Sequence, residues 1–419
     1  MESNLDFFLL AGDTVYADGS RTLQQYQDVW ADAFLSPGMR DLFSSTSVIS
    51  TWDDHEVTNN WSWTDWNIGE IFDGAYTAYR DAIPWREGPG GTGLWRRLSW
   101  GEAIDIYVLD SRGERVEGRY VSVEQLEKFG EEFGVKARYA NLDQMLDKEE
   151  LDIIAICTWG CFHAEVGIQV CDSGKVKAVL CEKPFTQTAS EAEAFVNAGK
   201  ENCVLVTEAF KFRHHPMHLK AKEMIETGSI GDLLNVRSTF CTNAGRPLEM
   251  RTPESNWRFN RAKGGGSIYD LACYNIHHAR FVFGEEPVRV FASQELGIEA
   301  DDAASIALVF SQGRTAQISV GFNSFSSQYA EISGHAGMLR LDSVWNNENR
   351  AVSIEHKTQD GMEVIEFDAC FQFAEQLRHM FECLQTGQAH RISGEHSIAQ
   401  MRVLDAVKQS MESGVAVEL

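Results

Sequence analysis

From about residue 120 the chain alternates short apolar runs with amphipathic stretches. Residues 152–158 (DIIAICT), 177–181 (KAVLC) and 203–210 (CVLVTEAF) are continuously apolar and rich in β-branched side chains. That is the pattern of strands covered on both faces. Helical spacing fills 163–172 and 190–198, and 122–133 predicts a further amphipathic helix. Strands alternating with helices predict a parallel α/β sheet. Beyond residue 285 the texture changes. Runs at 288–293, 305–310, 315–322, 328–334, 338–341, 352–355 and 363–367 are strand-like and separated by short turns. They predict a mostly antiparallel sheet, closed by helices over 371–386 and 397–412.

The first hundred residues read differently. An apolar strand in DFFLLAGDTVYAD runs into Gly12-Asp13, which puts a carboxylate at a strand's C-terminal end, where open α/β sheets hold ligands. WDDHEVTNN at 52–60 sets two Asp, a His and a Glu in four positions. Hard oxygen ligands with one imidazole suit divalent metals. Eight of the 11 tryptophans fall within residues 1–112, all nine cysteines follow residue 156, and only His55 precedes His163. Two segments of different ancestry are therefore expected to meet near residue 112. The Gly/Pro-rich stretch Gly88–Gly93 is the nearest thing to a hinge.

Composition narrows the function classes. A chain of 419 residues should hold two or three domains. The net charge of −25 argues against nucleic acid as partner. No run approaches the roughly 18 apolar residues of a membrane span, and no secretory leader is evident, so a cytoplasmic protein is expected. Nine cysteines without a C-x-x-C suggest a reducing compartment. Cys157 and Cys161 are four apart but lack a second pair or His cluster to complete a zinc site. All nine are expected to be buried structural thiols.

GDTVYADG, TWDDHEVTNNW and WRRLSWGEAIDIYVLDSR follow one another over about residues 5–112 and resemble the PhoD-like alkaline phosphatases. The resemblance implies Asp13 and Tyr16 as metal ligands and Asp54 and His55 at the phosphate-facing edge. A divalent metal is expected only if this segment is active. The family's upstream ligand strand and downstream histidine loops are missing, and a two-metal hydrolase needs several ligands per ion. A fragment without its chemistry is the expectation.

CEKPF at 181–185, VTEAFKFRHHP at 206–216 and GGGSIYDLACYNIHHARFVFG at 264–284 resemble the glucose–fructose oxidoreductase/inositol dehydrogenase (Gfo/Idh/MocA) family over about 115–419. The expected fold class is α/β plus α+β. An incomplete Rossmann-like parallel sheet precedes a mostly antiparallel domain, behind an N-terminal α/β metallophosphatase-like fragment. The expected segments are 1–112, 113–211 and 212–419. The resemblance implies hydride transfer between NAD or NADP and a sugar, polyol or diol carbinol. It implies Lys183, Asp270 and Tyr274 as catalytic residues, with Lys183 stabilising charge on the reacting oxygen, Tyr274 donating or accepting the proton, and Asp270 orienting Tyr274 or holding a substrate hydroxyl; as a base Tyr274 would need Lys183 nearby to lower its pKa. Asp270 and Tyr274 stand at i and i+4 of a helix starting near Ser267, with His277 and His278 one turn on. Thr158, His163, Glu182, Lys183 and Pro184 would line the cofactor. Arg213, His214 and His215 are further candidates for the substrate cleft. A homo-oligomer through the C-terminal sheet is expected.

The family's opening unit, with its G-x-G-x-x-G phosphate cradle, is missing. Gly88, Gly90 and Gly93 have that spacing, but no buried strand precedes them, and Leu94–Trp100 reads as a weak helix. The strand Ile104–Asp110 stands where the family has its second strand, so Asp110, Ser111 or Arg112 would contact the adenosine ribose. The missing loop leaves two alternatives: a metal-dependent phosphatase in the first segment, or a non-catalytic sugar-binding, oligomeric protein.

Overall fold

The computed structural model describes residues 7–11, 14–45, 47–52, 55–58, 68–83, 96–100, 104–108, 139, 142–149, 151–243, 252–253, 256–347 and 350–419. Asp13, Asp54 and Asp110 lie outside the described residues, as do Ser111, Arg112, the loop 88–93 and the helix expected over 122–133. The chain divides into two compact units, Met1–Met145 and Leu146–Leu419.

In the first unit, β1 (Phe7–Ala11) and β2 (Ser47–Thr51) pair in parallel, so their C-terminal ends lie side by side. Between them run α1 (Leu23–Leu35) and α2 (Pro37–Ser45), and α3 (Ile68–Ala82) follows. Thr22 caps α1 in a reciprocal capping box with Gln25, satisfying two of the helix's orphan donors. Two of the tryptophans are core: Trp30 and Trp52 are enclosed with Tyr26, Val57, Ala75 and Tyr79. Trp30 and Trp52 both approach the Tyr79 ring, with centroids at 5.8 and 5.5 Å. The Tyr79 hydroxyl meets Ser50 Oγ at 2.9 Å, so the polar tip of the buried ring is satisfied.

Two expectations fail here. Residues 96–100 form a strand, β3 (Arg96–Trp100), not a helix, and it pairs antiparallel with β4 (Ile104–Val108). Each strand satisfies the other's backbone groups within a two-stranded sheet. Among the described residues Ile104–Val108 pairs with β3 alone, so the expected strand of the parallel sheet is not found there. A short helix, α4 (Leu142–Lys148), spans the boundary between the units.

The second unit opens with β5 (Leu151–Ile156), α5 (His163–Asp172), β6 (Val176–Cys181), α6 (Ala189–Glu201) and β7 (Leu205–Glu208). The strands are parallel in the order β5-β6-β7. The central strand β6 is buried along nearly its whole length, as its unbroken apolar run requires. Gly167 is the contact between α5 and α6: a Cβ there would lie 2.1 Å from the Phe195 ring, so only glycine admits that ring.

After α7 (Pro216–Glu226) comes a nine-stranded sheet. It is built from β8 (Leu233–Cys241), β9 (Arg289–Leu296), β10 (Asp301–Val309), β11 (Thr315–Gly321) and β12 (Ser327–Gly334). β13 (Gly337–Asp342), β14 (Val352–Thr358), β15 (Gly361–Phe367) and the terminal β16 (Val417–Glu418) complete it. Its order is β15-β14-β13-β12-β8-β11-β10-β9-β16, and all pairs are antiparallel except β8 with β11. The fold is thus mixed α/β with a parallel three-stranded sheet and a large, mostly antiparallel one. The helix α8 (Cys273–Phe283) is buried on nearly every side. The last two helices are α9 (Gln372–Thr386) and α10 (Gly394–Ser413). Met380 of α9 packs on Ala178 and Leu180, which share one face of β6.

The nine cysteines are all free, but the expectation that all are buried is wrong. Cys157 and Cys203 are exposed, and Cys161, Cys241 and Cys370 are only partly covered. Cys157 follows β5 and Cys203 precedes β7, where the chain leaves the sheet and the apolar pattern no longer implies cover. Among the described residues no helix is long and apolar enough to cross a membrane.

Candidate active site

The chain turns sharply where β6 ends. Phe185 anchors that turn: its ring is fully buried and stacks on Phe195 at 4.9 Å, nearly coplanar. Its backbone N–H donates to Glu208 Oε1 (3.0 Å) at the end of β7. Burial, the largest influence, pushes the Glu208 carboxyl up to about 8, so near neutrality it is mostly protonated. Two residues before this anchor, Lys183 leaves the carboxyl edge of the sheet with little freedom of direction; its bond to Pro184 is cis.

The opposing wall is the glycine run. Gly264 (φ +82°) and Gly266 (φ +122°) occupy the left-handed half of backbone space. A Cβ on Gly265 would lie 2.5 Å from the carbonyl oxygens of Trp257 and Arg258. Asp301 then caps the helix, its Oδ2 accepting from Ser267 Oγ (2.5 Å) and the Ile268 N–H (2.9 Å). The helix expected near Ser267 begins as a π-turn, Ile268–Ala272, before α8. Such turns gather at functional sites, and this one carries Asp270.

Lys183 Nζ donates to Asp270 Oδ1 (2.8 Å) and to the Asp270 carbonyl (2.9 Å). Arg258 Nε donates to Asp270 Oδ2 (2.8 Å). The carboxylate thus sits between two cations, in a site where Lys183 and Asp270 side chains are only 14% and 9% exposed. Burial opposes charge on both groups. Their mutual attraction outweighs it: Lys183 stays above lysine's ordinary pKa, and Asp270, held also by Arg258, stays below the usual carboxylate range. Two of the ammonium's three hydrogens are committed to Asp270, which leaves one for another acceptor.

Tyr274 does not take the expected arrangement. Lys183 Nζ lies over its ring face, 4.9 Å from the centroid. The ring packs among Phe210, Phe240 and Trp345 at 5.6–5.9 Å. Burial outweighs Lys183 and pushes the phenol above its ordinary pKa, so the expected lowering by Lys183 does not occur.

The residues expected at the cofactor edge divide into two kinds. Thr158 is exposed beyond β5, and Glu182 is partly covered and receives the Lys183 N–H (3.2 Å). His163 is enclosed; its Nδ1 lies 3.0 Å from the Pro184 carbonyl and its Nε2 3.0 Å from the Thr158 carbonyl. The ring sits between the ends of β5 and β6, and its N–H bonds one of these two carbonyls according to the tautomer. His277 accepts from Arg213 (2.9 Å), and His278 is buried beside Trp345. His214 faces α9 instead of Lys183, with its ring 5.1 Å from His379. His215 caps α7 through Met217 N–H (3.1 Å).

Sequence reasoning missed Arg258 and Asp301. Arg258 carried no signal, since NWRFN matches no motif quoted above. Asp301 begins a strand 34 residues beyond Ser267, and only folding joins the two.

In the first unit, His55 Nδ1 meets Asp18 Oδ2 at 2.6 Å, and the exposed Tyr16 ring lies 4.2 Å from His55. The Thr14 N–H donates to the buried Glu56. Asp18 lies within the quoted motif but was not singled out. Among the described residues of this unit, no three potential ligands converge.

Residues 111–210 match the oxidoreductase family with an NAD-binding Rossmann fold, and 218–340 match the GFO/IDH/MocA C-terminal domain. From residue 111 onward the chain belongs to the Gfo/Idh/MocA oxidoreductases. Residues 1–146 match the PhoD-like phosphatases, so the oxidoreductase is fused behind a phosphatase-like segment, and the two matches overlap over 111–146. The chain is 29% identical over 296 residues to D-xylose 1-dehydrogenase (NADP(+)) 2 of Haloferax volcanii, covering 69% of this chain and 87% of that one. It is 26% identical over 317 residues to myo-inositol 2-dehydrogenase of Thermotoga maritima, covering 71% and 89%. Among solved structures it resembles the aldose–aldose oxidoreductase of Caulobacter crescentus in complex with glycerol: 26% identity, TM-score 0.64, 71% and 89% coverage. It also resembles a 3-ketoreductase of Actinomadura kijaniata in complex with NADP and TDP-benzene: 25% identity, TM-score 0.62, 69% and 87% coverage.

Proposed function

We propose that residues 113–419 catalyse hydride transfer between a nicotinamide cofactor and a carbinol carbon of a sugar, polyol or diol. The observation that carries this reading is the buried Lys183–Asp270–Arg258 cluster at the carboxyl edge of the parallel sheet. The edge fits a dinucleotide: Thr158 is exposed beyond β5, and Glu182 and Lys183 follow β6 next to it. Thr158, Glu182, Lys183 and Pro184 would hold the cofactor, with His163 fixing the two strand ends. A bound nicotinamide supplies the hydride acceptor or donor; the rest of the chemistry belongs to this chain.

Lys183 remains an ammonium across the neutral range. Its remaining N–H meets the reacting oxygen and stabilises the negative charge that grows there as hydride adds to a carbonyl carbon; in the oxidising direction the hydroxyl proton passes to the same amine after it has released a proton to solvent. In the reducing direction the same hydrogen can be given to the oxygen. Asp270 holds the amine in place and preserves its charge, and Arg258 fixes the second carboxylate oxygen. The Tyr274 ring supports the ammonium from its face, a cation–π contact. Its high pKa suits a hydrogen-bond donor better than a base. We assign 1–112, 113–211 and 212–419 as phosphatase-like fragment, dinucleotide-binding domain and substrate domain, the last also the surface for self-association.

Calorimetric titration with NADH and NADPH, followed by turnover assays with aldoses and cyclitols, tests the proposal. Micromolar binding and turnover lost in Lys183→Ala are expected. No binding at millimolar cofactor overturns it.

A further inference from the structure

A second cluster of titratable groups lies in the same unit, built from three segments that the reaction above does not use. His214 follows β7, His379 is on α9, and His390 lies in the loop before α10. Each is more than nine-tenths buried, at 3%, 6% and 6% exposure. Each can offer a nitrogen such that all three atoms lie within 4.8 Å of one another. Nε2 of His214, Nδ1 of His379 and Nε2 of His390 have no hydrogen-bond partner among the described residues. Three buried imidazoles, each with an unused nitrogen, are costly to assemble unless something takes the lone pairs.

We propose that His214, His379 and His390 form a site for a divalent transition cation of the zinc class. Imidazole is the ligand type such ions prefer. The ring centroids are separated by 5.1, 5.4 and 4.5 Å. Three imidazoles bound tetrahedrally at about 2.0–2.1 Å to one ion would place their centroids roughly 5 Å apart. The rings therefore already stand at the required spacing, and small rotations bring the nitrogens together.

The surroundings have the features of a supported site. His390 Nδ1 lies 2.9 Å from Thr207 Oγ1, 3.1 Å from the Ile392 carbonyl and 3.1 Å from the Ile392 nitrogen, which holds the ring in place; capture through Nε2 uses the tautomer in which Nδ1 donates to Thr207 or to the Ile392 carbonyl. His214 and His379 border a cavity of about 400 Å³ that also reaches Glu382 and Arg391, and this provides an entry path and a fourth position for water or a ligand. Lys220 and Arg378 on the same wall are paired with Glu223 and Glu375. Arg391 donates to His214 Nδ1 (3.1 Å), which places the hydrogen of the neutral ring on Nε2. Capture through Nε2 needs the other tautomer, so Arg391 must turn into the cavity whose wall it forms. An ion here would pin α9 to the end of the parallel sheet.

The test uses the full chain, stripped with chelator and titrated with Zn²⁺ and Co²⁺ by calorimetry and absorption. One ion per chain is expected, with visible cobalt bands of a nitrogen-ligated site and no thiolate charge transfer. At about 100-fold excess over Kd, the melting temperature should rise by roughly 5–10 °C. His379→Asn and His390→Asn should each abolish the binding, and His55→Asn in the first unit should leave it unchanged. Absence of binding, binding that survives both substitutions, or binding lost with His55→Asn overturns the proposal. If the cluster variants fail to fold, the cobalt spectrum of the unsubstituted chain still decides: a thiolate signature rules the site out.

Discussion

The two units each gather charged side chains next to the carboxyl end of a parallel strand pair, yet the results differ. In the second unit, Asp270 is enclosed between Lys183 and Arg258 and every partner is held by its own anchor. In the first, His55 and Asp18 pair at 14% and 20% exposure, cover comparable to that of Lys183, but the carboxylate meets an imidazole, which is charged only when protonated. A carboxylate between a lysine and an arginine keeps both partners charged across the neutral range and can act on a substrate; a carboxylate–imidazole pair holds full charge only where the ring is protonated. Similar residue types at similar topological positions therefore carry very different chemical weight.

The largest expected effect that sharpens this contrast is on Lys183. Lys183→Ala should lower the rate of hydride transfer by about 10²–10⁴-fold, measured as single-turnover change in nicotinamide absorbance. His55→Ala should leave that rate unchanged. An equal loss in both variants would break the comparison.

Next is Asp270→Asn. Asp270 raises the Lys183 pKa, so its neutral replacement lets the amine lose its proton at lower pH. The alkaline limb of the kcat profile should move toward neutrality, with kcat down by about 10²-fold. A fall in kcat with an unmoved alkaline limb would mean that Asp270 acts only as a structural strut. Sign fixes the matching stability windows. The raised Lys183 contributes stability below the ordinary lysine range, lost as pH rises through its folded value. The lowered Asp270 contributes above the ordinary carboxylate range, lost as pH falls through its folded value.

The second unit should also be the acid-sensitive one. Its enclosed His214, His278 and His390 have pKa values lowered to about 2, 3 and 4, with burial as the largest cause. The unfolded chain begins to take up protons near pH 6.5 while these rings stay neutral, so stability falls as pH drops from there toward the folded values. Urea midpoints followed by a second-unit probe should fall steeply between about pH 6.5 and 5. A flat profile would show these rings open to solvent. Glu208 runs the other way: its raised carboxyl contributes stability that is lost as pH rises through about 8. Glu208→Gln should therefore gain about 3 kcal/mol relative to the unsubstituted protein between pH 6 and 9, at about 1.4 kcal/mol per pH unit up to about 8.

The smallest effect is expected in the first unit. His55→Ala should cost roughly 1 kcal/mol or less by thermal unfolding. A loss of several kcal/mol would mean that the His55–Asp18 pair braces the aromatic core.

Much of this was legible in the chain itself. The apolar runs at 152–158 and 177–181 read as strands and became β5 and β6, although only β6 is covered along nearly its whole length; Asp152 and Ala155 of β5 are exposed. The seven runs after residue 285 became β9 to β15, because their short length and the turns between them fit little else. The glycine run at 264–266 and the Glu-Lys-Pro turn located Lys183 and Asp270, since only glycine fits the close backbone approach there. These are local constraints, fixed by residue size, backbone freedom and periodicity, and a linear pattern records them. Tertiary structure alone decided the rest. It brought Arg258 to Asp270, put Lys183 over the face of Tyr274, made β8 and β11 parallel neighbours and left Cys157 and Cys203 exposed. It also drew His214, His379 and His390 together from three segments. Each of those outcomes depends on which distant surfaces meet and how much water they exclude, and residue spacing along the chain holds no record of either.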